Sequence, residues 1–330
     1  MIVGFIVTGM TSLKYFIPIV EELNRRNKKS IFFIPEKCNG KYNSIFRNLD
    51  CFSELCNSFN IHVASLNDAH NFAGVLFQIE GDGLNTPISS QQKKIALTYM
   101  TDFSVSYEKY ISTVDYVIFP SEKFANFYNK KSDKNLYLGC PKYGFKLLSR
   151  EAVYNNFNLP EGKFCLYVAP RNRDKNLINE TMIVSALKEL DINVICKSRM
   201  KDPVSNSKIF DKVLYDTVWY PHDTLSLMKH AELVVNFNST TIKEAVLMKK
   251  PVIDFKIKPK EHSKLPFLYE YNFCKNIANQ NLKNEDHIKK SISELINFDA
   301  SKFDFNKCIE ECLFDIDNSV NKIVNFALSL

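Results

Sequence analysis

Short apolar segments alternate with helical patterns along the whole chain, beginning with a strand predicted over 2–7. From Leu13, apolar residues recur at intervals of three and four, which is the spacing of an amphipathic helix, and Ser12 is in position to cap it. This alternation is typical of a mostly parallel sheet with helices on both faces. In the first half, strands are predicted over 2–7, 30–35, 61–65, 75–80, 116–120 and 135–138.

The same alternation restarts after a polar segment at 150–162. We therefore predict two α/β domains, covering residues 1–155 and 156–330. The last helix, predicted over 309–328, is expected to pack back on the first domain. The other elements predicted for the second domain are strands over 164–169, 192–196, 233–237 and 252–255, helices over 181–190, 224–230, 241–248 and 286–296, and a basic surface loop over 256–264.

Glycine is scarce: the chain has only 9 glycines among 330 residues, and none follows Gly162. The P-loop pattern and the G-x-G-x-x-G pattern are both absent. If the second half binds phosphate, other residues must therefore form the phosphate-binding turn. The net charge of +6 suits an anionic substrate or an anionic membrane surface, and it is too evenly spread to indicate a nucleic-acid partner.

Nine cysteines and six histidines are scattered through the chain, without a C-x-x-C or an H-x-x-x-H pattern. The cysteines are typical of reduced thiols in a cytoplasmic protein, and no metal site is expected. The apolar segment 1–9 lacks a cationic start, so it is interpreted as a strand rather than a signal peptide. No apolar run approaches the roughly 18 residues of a membrane span. The expected location is the cytoplasm, with peripheral contact at the inner face of the membrane as an open alternative.

The most informative segment is 231–255, in which a predicted strand is followed by Ser239, Thr240 and Thr241 at the start of a helix. Free backbone N–H groups and hydroxyl groups at such a start can bind an anion. Glu244 lies about one turn into the helix, where its carboxylate could accept hydrogen bonds from a ribose diol. The same spacing of Thr241 and Glu244 also fits a capping box with a purely structural role.

This segment resembles the nucleotide-binding unit of GT-B glycosyltransferases, in which a strand, a Ser/Thr/Gly turn and a helix with an early Glu precede a Gly-Lys-Pro turn. Here Lys-Lys-Pro at 249–251 forms the last turn, so the usual glycine is missing. Three further segments are similar to parts of these enzymes, in the expected order. They are the first loop at 8–12, the Gly-x-Pro turn at 138–142 and the strand that opens the second domain at 164–171.

The resemblance implies an α/β fold of two Rossmann-like domains that face each other across a cleft. It also implies that the first domain contacts the acceptor and supplies a catalytic base, while the second binds a nucleotide-sugar donor. In the first loop, Gly9 and Thr11 would contact the donor. No cofactor is implied beyond the nucleotide-sugar co-substrate, with CMP-linked and UDP-linked sugars both open.

An acidic motif, Glu-Gly-Asp-Gly at 80–83, follows a predicted strand of the first domain. Together with Ser-Thr at 239–240, it is similar to motifs of CMP-sugar-using bacterial sialyltransferases. The His-Pro motif of those enzymes is absent, and Lys-Ser-Arg at 197–199 takes its place. Asp82, or alternatively Glu80, is the candidate base that removes the proton from an acceptor hydroxyl. The alternative is a simple turn in which the two acids are only solvated.

Five basic residues lie at strand ends of the second domain: the arginines and the lysine could neutralise the leaving phosphate, and the histidine, which precedes a helix, could contact the base or the phosphate. The alternative is that they belong to solvated loops and that the histidine is incidental to a helix cap. These residues are Arg171, Arg173, Lys197, Arg199 and His222.

Together these features predict a glycosyltransferase that moves a sugar from a nucleotide-sugar to a hydroxyl of a glycan or lipid-linked glycan. The mechanism is expected to be inverting and independent of metal. Three alternatives share the fold: a UDP-GlcNAc 2-epimerase, a CDP-glycerol-type phosphotransferase and a non-catalytic protein that binds nucleotides or sugars. The epimerase is disfavoured because the first loop has Met-Thr-Ser at 10–12, where that family has Arg-Pro-Glu.

Overall fold

The chain divides into two compact units, each with one parallel sheet. The first unit comprises Met1–Phe145, Val218–Pro221 and Glu310–Leu330, and the second comprises Lys146–Thr217 and His222–Ile309. The computed structural model describes residues 2–36, 45, 48–82, 90–98, 107–127, 129–144, 147–170, 178–198, 203–204, 206–215, 223–239, 241–256, 272–277, 284–306 and 318–330.

Seven parallel strands form the sheet of the first unit. They are β1 (Ile2–Ile6), β2 (Lys29–Ile34), β3 (His62–Ser65), β4 (Gly74–Ile79), β5 (Gln92–Leu97), β6 (Tyr116–Phe119) and β7 (Asn135–Tyr137). Their order is β3-β2-β1-β4-β5-β6-β7, which places β1 beside β4 at the centre. Because the strands are parallel, the loops that follow them meet at one edge, the carboxyl edge of the sheet.

Aromatic side chains join the first strands of this sheet to the first helix. The α-helices of the first unit are α1 (Leu13–Arg25), α2 (Leu49–Ser58), α3 (Tyr107–Tyr110), α4 (Glu122–Phe127) and α10 (Ser319–Ser329), numbered in chain order. The ring of Phe5 in β1 lies 5.2 Å from that of Phe16 in α1 and 5.3 Å from that of Phe77 in β4, measured between centroids. Burial of rings of this size contributes strongly to packing, so α1 is held firmly on the centre of the sheet.

The last helix, α10, packs within the first unit. Arg26, at the end of α1, donates hydrogen bonds to Asn321 and Asn325 of α10 at 3.1 and 2.5 Å. Phe326 meets Tyr116 of β6 edge-on, with 4.9 Å between the ring centroids. The chain therefore returns to its first unit at its end.

Six parallel strands form the sheet of the second unit. They are β8 (Phe164–Val168), β9 (Asn193–Ser198), β10 (Lys212–Tyr215), β11 (Leu233–Asn236), β12 (Val252–Phe255) and β13 (Cys274–Ile277). Their order is β10-β9-β8-β11-β12-β13, so both sheets wind outward from a central first strand in the Rossmann manner. The α-helices of this unit are α5 (Arg150–Phe157), α6 (Glu180–Lys188), α7 (Asp223–His230), α8 (Thr241–Leu247) and α9 (Glu285–Ile296).

The predicted α/β class with parallel sheets is confirmed, and the structure adds three strands that the hydrophobic pattern did not predict. These strands are β5, β10 and β13. β10 and β13 have only four residues each and mix apolar with polar side chains. β5 begins with Gln-Lys-Lys and therefore looks polar, yet Lys94 within it is fully buried.

The boundary between the units lies at Phe145–Lys146, ahead of the predicted division at 155–156. The polar segment at 150–162 contains α5, in which Val153 is the fully buried residue and four of the other seven side chains are exposed. The segment before α5 is already tied to the second unit, because the N–H of Leu148 donates to Ser226 Oγ of α7 at 3.2 Å. A helix on the surface of a unit can thus be as polar in composition as a segment between domains.

Burial of Lys94 makes the stability of the protein depend on pH. Burial lowers the pKa of Lys94 from 10.5 to about 8, although the carboxylate of Asp115 opposes this. Between these pH values the unfolded chain binds the proton more strongly than the folded chain. The contribution of Lys94 to the free energy of unfolding therefore rises with pH across this window, and the full cost of burying the charge applies below about pH 8.

We expect Lys94→Met to be more stable than the wild type at pH 7 by up to about 3 kcal/mol, because no ammonium group is then buried. This difference should shrink as the pH rises from about 8 to about 10.5. Denaturant unfolding of both proteins across the range measures it. Lys93→Met is the matched control, since the neighbouring Lys93 side chain is exposed. A difference between Lys94→Met and wild type that does not change with pH would contradict this expectation.

Candidate functional site

Two neighbouring strand ends bring the acidic motif against the first loop. β1 and β4 are adjacent in the sheet, and Thr8 and Asp82 lie in the segments that follow them. The Thr8 hydroxyl donates a hydrogen bond to Asp82 Oδ2. Thr8 is buried and Asp82 is partly exposed. The contact therefore fixes the direction of an accessible carboxylate at the carboxyl edge of the first sheet.

The turn that carries Glu80 and Asp82 is held by main-chain hydrogen bonds. The N–H of Glu80 donates to Leu97 O at the end of β5 at 2.9 Å, and the N–H of Asp82 donates to Ile79 O at 2.8 Å. Glu80 has a φ of +41°, in the left-handed region that residues other than Gly and Asn seldom adopt. Backbone strain of this kind is concentrated at functional sites. The turn thus holds both candidate bases at the end of β4 at some cost in stability.

The first loop continues from Thr8 into a short 3-10 helix, Met10–Ser12. The carbonyl of Gly9 accepts hydrogen bonds from the N–H and the hydroxyl of Ser12 at 3.1 and 2.6 Å. Thr11 is exposed. Gly9 and Thr11 therefore follow β1 at the same edge as Asp82, and their role as donor contacts stays a prediction.

A buried carboxylate organises the carboxyl edge of the second sheet. Asp254 of β12 is the register partner of Asn236, the last residue of β11, and both are buried. Asp254 Oδ1 accepts a hydrogen bond from Asn236 Nδ2 at 2.6 Å and another from the N–H of Asn238 at 2.7 Å. The Asn236 amide also donates to Ser239 O at 3.2 Å. The turn after β11 is thereby tied to one side chain of the neighbouring strand.

The turn after β11 adopts a left-handed backbone conformation without a glycine. Asn238 has a φ of +47°, a conformation that Asn tolerates better than most residues with a side chain. Its hydrogen bond to Asp254 holds it there. Asn236 Oδ1 is buried and has no hydrogen-bond partner among the described residues. Such atoms are rare and costly, so this oxygen is a natural acceptor for a donor group of a ligand or water.

Ser239 and Thr241 contact each other at the start of α8. Ser239 Oγ lies 3.1 Å from Thr241 Oγ1 and accepts a hydrogen bond from the N–H of Thr241 at 3.4 Å. Glu244 is buried about one turn further along the helix. Lys197, in β9 at the same carboxyl edge, is also buried, and its ammonium donates to Tyr215 O at 3.3 Å. The Ser239 hydroxyl therefore accepts the first N–H of α8, while Lys197 is anchored to the end of β10.

Several predicted site residues lie outside the described residues, and their roles stay predictions. They are Arg171, Arg173, Arg199, His222 and Thr240. Gly83 of the acidic motif and most of the predicted basic loop at 256–264 also lie outside.

The described part of the chain shows neither a metal-binding cluster nor a membrane-spanning helix. It contains no group of three or more His, Cys, Asp or Glu side chains placed to hold a metal ion. None of its helices combines the length and the apolar character needed to cross a membrane.

Two of the organising residues were not identified from the sequence as parts of the site. Asp254 has a signal that could have found it, because an Asp inside the apolar run Val-Ile-Asp-Phe needs a buried partner. Thr8 has no such local signal. Its contact with Asp82 depends on β1 lying beside β4, and the two residues are far apart in sequence.

Comparisons with known proteins identify the fold. No protein-family model matches the chain, and a search of curated proteins finds no match. The structure of the UDP-GlcNAc 2-epimerase from Neisseria meningitidis bound to UDP-GlcNAc matches over 100% of both chains, with a TM-score of 0.66 and 13% sequence identity. The wall teichoic acid polymerase TagF matches with a TM-score of 0.63 and 14% identity, covering 99% of this chain and 88% of the polymerase. The kitacinnamycin glycotransferase matches with a TM-score of 0.66 and 10% identity, covering 99% and 98%.

These matches, together with the two Rossmann-type sheets, show that the chain has the GT-B fold. The similar structures include an epimerase, a polymerase and a glycotransferase. One fold supports different activities, so the activity of this chain must be argued from its own residues.

Proposed function

We propose that the chain is a glycosyltransferase that moves a sugar from a nucleotide-sugar donor to a hydroxyl of a glycan or lipid-linked glycan. The reaction takes place in the cytoplasm, at the inner face of the membrane. The observation that carries this proposal is the hydrogen bond from Thr8 to Asp82. It orients a partly exposed carboxylate at the carboxyl edge of the first sheet, where doubly wound α/β proteins bind their ligands. A carboxylate held in this way suits a general base.

In the proposed reaction, Asp82 takes the proton from the acceptor hydroxyl as the hydroxyl oxygen attacks the anomeric carbon. A bond forms between that oxygen and the anomeric carbon. The bond from the anomeric carbon to the donor phosphate breaks, and the nucleotide leaves with the electron pair. A single displacement of this kind inverts the configuration at the anomeric carbon. Thr8 acts through Asp82 by holding the direction of the carboxylate.

The second unit supplies the donor site in this proposal. The donor contacts lie in the turn after β11, where Asn236 and Asp254 hold the partly exposed residues Asn238 and Ser239. Lys197 and the predicted basic residues would interact with the donor phosphates. The similarity to an epimerase bound to UDP-GlcNAc supports a nucleotide-sugar as the ligand.

Epimerisation of UDP-GlcNAc is the second candidate. The epimerase from Neisseria meningitidis matches this chain over the full length of both. In that reaction Glu80 and Asp82 would move a proton at carbon 2 of the sugar. The sequence of the first loop argues against it. Residues 10–12 are Met-Thr-Ser, whereas the epimerase family has Arg-Pro-Glu at this place.

A panel of activated donors separates the two candidates. The protein is incubated with UDP-GlcNAc, CDP-glycerol and CMP-linked and GDP-linked sugars, and the thermal shift and the released nucleotide are measured. NMR of the products distinguishes a new glycosidic bond from inversion at carbon 2. With water taking the place of the acceptor hydroxyl, we expect release of the nucleotide and of a sugar whose carbon 2 is unchanged. Inversion at carbon 2 without transfer would establish the epimerase instead, and no thermal shift with any donor would contradict both candidates.

We expect Ser239→Ala to weaken the binding of UDP by about tenfold, because a lost hydrogen bond in a binding site costs about 1–1.5 kcal/mol. Isothermal titration with UDP measures the change. Ser149→Ala is the matched control, since Ser149 Oγ caps α5 by accepting the N–H of Ala152 at 3.2 Å in the same unit. An equal loss of affinity in both variants would leave Ser239 with a structural role alone.

A further inference from the structure

Gln78 is a buried amide directly behind the turn that carries Glu80 and Asp82. It lies in β4 with 0% of its surface exposed, and its Nε2 donates a hydrogen bond to Glu80 O. Its Oε1 has no hydrogen-bond partner among the described residues. A flipped amide would place Oε1 against the carbonyl oxygen of Glu80, so the hydrogen bond itself determines the orientation. An apolar side chain of the same size would avoid the cost of burying this oxygen, which points to a use for the amide.

Glu80 needs such support because its backbone is left-handed. In the described part of the chain, Asn is the commonest non-glycine residue with positive φ, and its short amide can bond to the nearby backbone. These asparagines are Asn27, Asn60, Asn129, Asn158 and Asn238. Glu80 lacks the short amide of these asparagines. The conformation of Glu80 is instead supported at both ends of the residue, by Leu97 O on its N–H and by Gln78 on its carbonyl.

We propose that Gln78 is a positioning residue, whose amide clamps the carbonyl of Glu80 and thereby sets the position of Asp82. Asp82 is two residues further along, and its N–H closes the turn on Ile79 O at 2.8 Å. Rotation of the backbone at Glu80 would therefore move both the amide and the carboxylate of Asp82. The catalytic part of this inference rests on the proposed function, whereas the clamp itself is a property of the turn.

Gln92 offers a matched control on the same face of the same sheet. Gln78 is the register partner of Ala96, which lies four residues along β5 from Gln92, so the two glutamines share a face. Gln92 is buried, its Nε2 donates to Ala69 O, and its Oε1 has no partner among the described residues. It lies at the start of β5, away from the carboxyl edge.

The test compares Gln78→Met with Gln92→Met in the full chain. Amide hydrogen exchange at Asp82 should become at least tenfold faster in Gln78→Met and stay unchanged in Gln92→Met. With UDP-GlcNAc as the donor, kcat of Gln78→Met should fall at least tenfold while KM stays within twofold, because the second unit binds the donor. Each variant loses one hydrogen bond and one buried unpaired oxygen, so the Tm values of the two variants should be similar, and Gln78→Leu is the second variant if Gln78→Met folds poorly. Equal effects in the two Met variants, or unchanged exchange at Asp82, would overturn the proposal.

The exchange measurement needs no substrate, so it separates the clamp from the proposed function. Faster exchange at Asp82 in Gln78→Met, with no turnover by the wild type of any donor in the panel, would support the clamp and overturn the glycosyltransferase proposal. Turnover by the wild type that persists unchanged in Gln78→Met would support the glycosyltransferase and overturn the catalytic part of the inference.

Discussion

Asp82→Asn is expected to lower the rate of sugar transfer by about 10²–10⁴-fold, which is the usual contribution of a positioned general base. The amide has the size of the carboxylate and can still accept the hydrogen bond from Thr8, so the fold and the donor KM should stay unchanged. The measurement is the rate of nucleotide release with saturating donor and acceptor.

Two further variants make this expectation specific to Asp82. Thr8→Val removes the hydrogen bond to Asp82 and keeps the carboxylate, so the loss of rate should be smaller than in Asp82→Asn. Glu80→Gln tests the neighbouring acid of the same turn. A larger loss in Glu80→Gln than in Asp82→Asn would make Glu80 the base. An Asp82→Asn rate within about threefold of the wild type would contradict the proposed mechanism.

Asp254→Ala should lower the free energy of unfolding of the second unit by about 2–5 kcal/mol. The change removes one acceptor of the buried Asn236 Nδ2, which keeps its hydrogen bond to Ser239 O, and the acceptor of the partly buried N–H of Asn238; a lost hydrogen bond to a charged group costs about 1.5–3 kcal/mol. The turn after β11 would then lose its fixed shape, so affinity for nucleotide should fall as well. Denaturant unfolding with hydrogen exchange of the β11 and β12 amides measures the loss within this unit.

Asp211→Ala is the matched control for this loss. Asp211 also lies in the second unit, where its Oδ2 accepts the N–H of Val194 at 2.7 Å and its Oδ1 lies 2.9 Å from Lys188 Nζ. It is exposed, and exposed ion pairs contribute little to stability. Its loss should therefore be smaller. Equal losses at the two positions, or a loss below about 1 kcal/mol in Asp254→Ala, would show that Asp254 does not organise the turn.

The fold could be predicted largely from hydrophobic periodicity, because most of the strands are apolar runs. β5 was not predicted, since a strand that begins Gln-Lys-Lys follows no apolar pattern and its buried Lys94 runs against the ordinary exposure of lysine. The short strands β10 and β13 were not predicted for a different reason. Each has only four residues, both apolar and polar, which is too few to show a periodic pattern. The division between the units lies ten residues before the predicted one, and half of the side chains of α5 are exposed, so that its sequence resembles a segment between domains.

The candidate site was predictable where its residues are local in sequence. The acidic motif after β4 and the Ser-Thr turn after β11 could both be found by their order after predicted strands. The residues that hydrogen-bond to these motifs, Thr8 and Asp254, could not be found in this way. Thr8 reaches Asp82 because β1 and β4 are adjacent, and Asp254 reaches Asn236 because their strands pair in register. Such pairings depend on the order of strands in the sheet, which periodicity along one chain does not encode.

The assignment of nucleotide binding to the second unit can be tested by chemical-shift mapping of the isotope-labelled protein during titration with UDP, and in parallel with CMP. We expect the largest changes at the amides of Asn238, Ser239 and Thr241 in the second unit, with the amides of the first sheet little affected by the nucleotide alone. Changes confined to the first unit, or none at saturating UDP or CMP, would contradict the assignment of the donor site to the glycine-free half of the chain.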